Sequence, residues 1–307
     1  MKESVRLRQE KPVRSAAEEE RRKRPLSPPQ HTVAPERQQR SGHPADILDY
    51  GMATSVSGFY DDFASDYHLL FEDWEASMLR QASAIGSILE RECAVAGTTV
   101  FDCACGIGTQ ALGLAKVGFC VTGADVSAGA VQRARSEAAA RRLDIPFYVA
   151  DMRNLAEVPT EGFDAVICMD NSLPHLICEA DLTQAVGQIR TKLRIGGTFV
   201  ASVRDYDEIL SQHPVVQVPA FYSDEGRRRV VFQVWDWQDE RRYTFHMYIT
   251  RETSAGWDNF HGASAYRAVL RNEITGILQS RGFTNVRWRF PIESRFYQPI
   301  VIATATE

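Results

Sequence analysis

Val100-Phe101-Asp102-Cys103-Ala104-Cys105-Gly106-Ile107-Gly108 is the stretch on which the fold turns. A short apolar run from Thr99 ends on an acid and opens onto a Gly-x-Gly bend, and residues 109–116 after it have the composition of a helix. A strand delivered into such a bend brings backbone N–H groups close to a ligand, because glycine has no Cβ to hold the ligand off.

The surrounding chain repeats this theme. Apolar runs over 99–103, 119–124, 147–150, 163–169 and 198–204 are predicted strands, separated by helical segments at 109–116, about 127–142 and 180–193. Ser127 stands where a helix N-cap is expected, and Gly196-Gly197 where a stop is expected. Strands alternating with helices at this spacing predict a mostly parallel sheet covered on both faces. Ligands in such sheets lie beyond the carboxyl ends of the strands. Asp102–Gly108, Asp125, Asp151 and the 169–175 loop should therefore converge. Ahead of this core (98–204), Phe59 to Arg91 shows apolar residues every three or four positions, which predicts N-terminal helices over 59–92. After it, 215–251 alternates without helical period and reads as two or three antiparallel strands capping the pocket. A helix from Tyr266 to Ser280 and a strand pair over 285–290 and 299–305 complete a C-terminal part at 264–305.

Gly106, Gly108 and Ala111 also fit the dinucleotide pattern G-x-G-x-x-G/A. Asp102 tips the balance, because a carboxylate at the strand end repels a pyrophosphate and welcomes the ammonium and sulfonium of S-adenosylmethionine. Asp125, 19 residues beyond Gly106, can accept both ribose hydroxyls, with capping of the next helix as the alternative. Asp151 can accept from the adenine amino group while Met152 packs on the purine. In Met169-Asp170-Asn171-Ser172-Leu173-Pro174-His175, polar groups crowd a strand's carboxyl end, and Asn171 can position a small substrate. His175 is a candidate general base or, preferably, a histidine that orients the loop. Arg204, ending the fifth strand, is a fork for a substrate carboxylate, unless Asp205 or Asp207 pairs with it.

Composition sets outer bounds. The chain has 307 residues with a net charge of −5, and lacks an apolar run long enough to span a membrane. No apolar leader opens it, so a cytoplasmic protein is expected. Residues 1–45 hold 11 Lys/Arg against 6 Asp/Glu and are rich in proline, a basic arm expected to be disordered. The remaining body, 46–305, is acidic, which argues against nucleic acid and for a small-molecule substrate. Six scattered cysteines without a C-x-x-C pair indicate neither a disulfide framework nor a metal site.

Together these turns resemble the class I S-adenosylmethionine-dependent methyltransferases over roughly residues 59–305, and within them the glycine N-methyltransferase and glycine/sarcosine N-methyltransferase group. The resemblance rests on Asp102–Gly108, on Val166–Leu176 and on Arg204-Asp205-Tyr206-Asp207-Glu208-Ile209-Leu210. It implies a Rossmann-like sheet, mostly parallel with the last strand antiparallel, N-terminal helices and an antiparallel β cap. It implies cofactor contacts from Tyr67, Trp74, Arg80, Ala104, Asp125, Asp151, Met152 and Met169. Asn171, Arg204 and Tyr248 match the substrate positions, with Arg204 on the carboxylate. Where the family has glycine, this chain has Asp170, a second candidate for accepting a proton. Two alternatives stay open: another small-molecule N, O or C acceptor, or a cofactor-binding protein without catalysis.

Overall fold

The computed structural model describes residues 55–93 and 97–306; the basic arm at 1–45 lies outside the described residues. Ser55 caps α1 (Val56–Phe63) by accepting from the Gly58 amide, and the helix buries Phe59 and Phe63, one turn apart. A 3₁₀ turn at Tyr67–Leu70 leads to α2 (Trp74–Cys93), whose buried face carries Met78, Ala82, Ile85 and Leu89. These every-third-or-fourth positions fit a helix packed along one stripe.

The core follows as β1 (Thr99–Asp102), α3 (Thr109–Lys116), β2 (Cys120–Asp125), α4 (Ala128–Ala140), β3 (Phe147–Val149) and β4 (Phe163–Cys168). After the Leu173–His175 turn come α5 (Glu179–Lys192), β5 (Leu193–Ser202) and α6 (Tyr206–Gln212). The cap is β6 (Ala220–Asp224), β7 (Arg227–Trp237), β8 (Arg242–Thr253) and β9 (Gly256–Arg267). The chain closes with α7 (Arg271–Ser280), β10 (Phe283–Arg289), the short α8 (Pro291–Ser294) and β11 (Ile300–Ala305).

Seven strands form one sheet in the order β10-β11-β5-β4-β1-β2-β3. All neighbours are parallel except β11, which runs antiparallel to both β5 and β10. Val100, Phe101, Val166, Ile167 and Val200 are fully buried, as central strands covered on both faces require. Strand order reverses between β1 and β4, so the crevice beyond their carboxyl ends is the topological switch point. No described helix is long and apolar enough to cross a membrane.

The cap departs from expectation. It is a four-stranded antiparallel sheet that extends to Arg267, because β9 pairs with β8 continuously from Thr253↔Gly256 to Arg242↔Arg267. Tyr266 is therefore a strand residue, and the helix begins only at Arg271. Cross-strand pairing, which a single segment's periodicity does not display, decides the point. Residues 215–217 only skirt β7, through a bridge between Val216 and Val234 and two backbone hydrogen bonds.

Candidate active site

The bend after β1 adopts the geometry its glycines permit. Gly106 and Gly108 have φ of +52° and +93°, values an L side chain rarely takes. A Cβ on Gly106 would meet nothing within 4 Å, so its outer side is open for a ligand. The Gly106 amide donates to Asp125 Oδ2 at 2.8 Å, and the Ser127 amide to Asp125 Oδ1 at 2.9 Å. Ser127 itself caps α4 by accepting from Ala130, so Asp125 is not the helix cap. Burial pushes the Asp125 carboxyl up against the pull of these amides.

Asp102 is fully buried, and its Oδ2 has no hydrogen-bond partner among the described residues. Its Oδ1 receives only the Ala104 amide, at 3.4 Å. Burial, aided by the nearby Asp125 and Asp170 charges, pushes its carboxyl up to about 8. An orphaned buried carboxylate oxygen is costly unless something completes it. A cation completes it best, so the site fits the ammonium group of S-adenosylmethionine.

On the other side of the switch point, Asp170 and Asn171 both have left-handed backbone, with φ of +55° and +67°. Glycine adopts this conformation freely; aspartate and asparagine tolerate it. Asp170 thus occupies a glycine-like backbone site and carries a carboxylate there. Ser202 Oγ receives the Asp170 amide at 2.8 Å and in turn donates to Gln298 at 2.9 Å, which pins the turn. The Asp170 side chain accepts from Gln110 at 2.7 Å and from the Tyr297 hydroxyl. Burial raises it despite both donors.

Asn171 is turned inward as a brace. Its Oδ1 accepts from the Arg204 amide at 2.9 Å and its Nδ2 donates to the Tyr206 hydroxyl at 3.0 Å. Arg204 reaches the cap, donating to Tyr243 at 3.1 Å and Gln233 at 2.9 Å. Its guanidinium lies 4.8 Å from the Trp235 ring centre and 5.4 Å from that of Tyr266. Asp205 and Asp207, the alternative partners, both pair with Arg271 instead. Burial works against the Arg204 charge, but the oxygens of Tyr243, Tyr206 and Tyr266 outweigh it and hold its pKa above the ordinary value.

Tyr67, Arg80, Asp170, Asn171 and Arg204 line one cavity of about 1010 Å³. Asp102, Ala104, Gly106, Gly108, Asp125, Asp151, Met152 and Met169 are not among its lining residues. Asp151 is held by Arg153, whose guanidinium meets both its oxygens and keeps the carboxyl below its usual value despite partial burial. Met169 is buried and Met152 packs on the core.

Three further candidates have partners of their own. Trp74 donates to Thr109 Oγ1 at 2.9 Å and is flanked by Arg133 and Arg141, bracing the start of α3 outside the cavity lining. His175 has both nitrogens engaged, with Tyr60 at 2.8 Å and the Ala265 carbonyl at 3.2 Å. Burial drives its pKa to about 3, so it is a neutral bracket between the turn and β9 and not a proton acceptor. Tyr248 stacks between Phe232 and His261 and is not among the cavity-lining residues. Side chains alternate along a strand, and the buried positions of β8 are Tyr243, Phe245, Met247 and Ile249. The tyrosine that meets Arg204 is therefore Tyr243.

Gln110, Gln233, Tyr266 and Tyr297 complete the site and carry no motif of their own, whereas Tyr243 and Trp235 belong to the aromatic residues of the cap segment. For Gln233 the one sequence signal is its shared parity with Trp235 on β7.

Comparison with known proteins places these features. A family model described as "Methyltransferase domain" matches residues 100–197. Human glycine N-methyltransferase is 32% identical over 184 residues, 55% of this chain and 62% of the relative. The glycine/sarcosine N-methyltransferase of Aphanothece halophytica is 28% identical over 164 residues, 50% of this chain and 61% of the relative. The chain thus spans less than two thirds of the length of these relatives. Among solved structures, S-adenosylmethionine-bound CalS10, an amino pentose methyltransferase from Micromonospora echinaspora, superposes with a TM-score of 0.62 at 19% identity. That superposition covers 75% of this chain and 92% of the other. Residues 100–197 match the methyltransferase domain model, set in the fold of class I S-adenosylmethionine-dependent methyltransferases, in a chain similar to the glycine N-methyltransferase group.

Proposed function

We propose that this chain is an enzyme transferring a methyl group from S-adenosylmethionine to the amine of a small carboxylate-bearing acceptor, of which glycine and sarcosine are the simplest. The observation that carries the reading is Arg204, a guanidinium facing the cavity whose hydrogen bonds among the described residues go only to neutral oxygens. Arginine keeps its charge in a protein, so an acceptor carboxylate is the counter-ion it lacks. Similarity to the glycine N-methyltransferases supports the same acceptor class.

When bound, the cofactor supplies an activated methyl: a new N–C bond forms as the S–C bond breaks, sulfur leaves as a neutral thioether, and the amine gives up one proton. The protein's work is then mostly placement. Asp102 would hold the cofactor's ammonium, Asp125 its ribose, and Asp151 with Met152 its adenine, and Tyr67 and Arg80 would contact it from the N-terminal part of the chain. Arg204 grips the acceptor carboxylate, and Asn171 keeps Arg204 in place. Asp170, whose pKa is raised and which lines the cavity, is the side chain placed to take the amine proton.

Formation of the demethylated cofactor with glycine, sarcosine and glycinamide tests the acceptor class. Turnover with the two carboxylates and at least a tenfold loss with glycinamide is the expected result. Equal turnover of glycinamide would overturn the carboxylate clamp.

A further inference from the structure

Resting on that reading, we propose that the preferred acceptor is a carboxylate-bearing amine with a bulky apolar side chain, larger than glycine or sarcosine. Three observations support it. The first is space: glycine displaces about as much as three waters, on the order of 100 Å³, whereas the cavity measures about 1010 Å³. The carboxylates expected to hold the cofactor's ribose and adenine are not among its lining residues, so only part of this room is taken up by the cofactor.

The second is the wall beyond Arg204. The inward face of the cap presents Val231, Trp235, Phe245 and Met247 to the cavity. An apolar ceiling contributes nothing to an acceptor with no side chain and favours one that packs against it.

The third is the mouth. Val216, Val218 and Tyr297 all line the cavity, yet remain 48%, 86% and 57% exposed. Neighbouring Val215, Phe221 and Ile292 are also exposed. Apolar residues gathered at the rim of one cavity mark a surface that something covers. Glu72, Arg80, Glu208 and Arg295 share the lining, so the acceptor's body runs along the apolar cap side.

The test measures kcat/KM for glycine, sarcosine, leucine, phenylalanine and tryptophan, together with phenylalaninamide, on the full chain and on V218D. Preference for the bulky apolar amino acids over glycine by tenfold or more is expected, as is a fall in that ratio of at least threefold in V218D. If glycine or sarcosine is used as well as or better than the bulky acceptors, the inference fails and the carboxylate reading stands. If phenylalaninamide matches phenylalanine, both fail together.

Discussion

Asp102 and Arg204 are opposite answers to one problem, a buried charge without an ionic partner among the described side chains. Asp102 sits at the end of a central parallel strand with one weak donor and an empty oxygen. It can shed its charge by protonation, and with a pKa near 8 it does so at neutral pH. Arg204 has no such exit, and its surroundings supply what solvent would: two neutral oxygens and two aromatic faces. The sheet rim therefore carries a charge it can shed, whereas Arg204, set against the cap, carries one it cannot.

Breaking the cap side should have the largest effect. Truncating one partner of a buried charged contact costs about 2–5 kcal/mol. R204A should lower kcat/KM for a carboxylate acceptor by roughly 100-fold or more, carried by KM, with cofactor affinity near normal. Steady-state kinetics alongside calorimetry of cofactor binding would check it, and an unchanged KM would remove Arg204 from the comparison.

Breaking the rim side should act on the cofactor instead. D102N should weaken S-adenosylmethionine binding by about 10- to 100-fold, in line with loss of a charged hydrogen bond of about 1.5–3 kcal/mol. The same variant should raise the ligand-free melting temperature at pH 8 and above. A carboxyl whose folded pKa lies above its unfolded value of 3.8 binds more protons when folded, so it destabilises progressively from about pH 4 to 8. For the same reason, cofactor binding to the unmodified protein should tighten as pH rises to about 8 and should release a proton below it.

His175 sharpens the contrast with a stability effect alone. Its folded pKa of about 3 lies below the ordinary 6.5, so the folded state binds fewer protons in that window. Stability is full above about pH 6.5 and is lost as pH falls toward 3. H175Q should flatten the acid limb of a melting-temperature profile while leaving the kcat–pH curve in place. The smallest effect belongs to Tyr248: Y248F should change KM less than twofold, whereas Y243F, which removes a hydroxyl from Arg204, should raise it several-fold.

The rim was legible because its parts are local. Asp102, Gly106 and Gly108 are neighbours in one strand and bend, and the glycine conformations follow from the residue type alone. Asp125 and Asp151 were legible one step further, since strands of a parallel sheet share a carboxyl edge. Arg204 could be read as a fork because it ends a strand, but its choice between Asp205, Asp207 and the cap could not. That choice was settled by Arg271, more than sixty residues away, which takes both carboxylates. Tyr248 was misplaced for a related reason: a strand's two faces differ only by parity, and a one-residue shift in alignment exchanges them.

Amino-acid order alone determined the alternating strands and helices, the glycine bend and the carboxylates that edge the sheet, because each depends on residues within one or two elements. Tertiary structure alone decided which tyrosine faces Arg204, that β9 is a strand, and that Asp102 keeps an oxygen unpaired. Those outcomes depend on which distant groups are brought within hydrogen-bond reach, and such contacts leave no period or spacing in the chain.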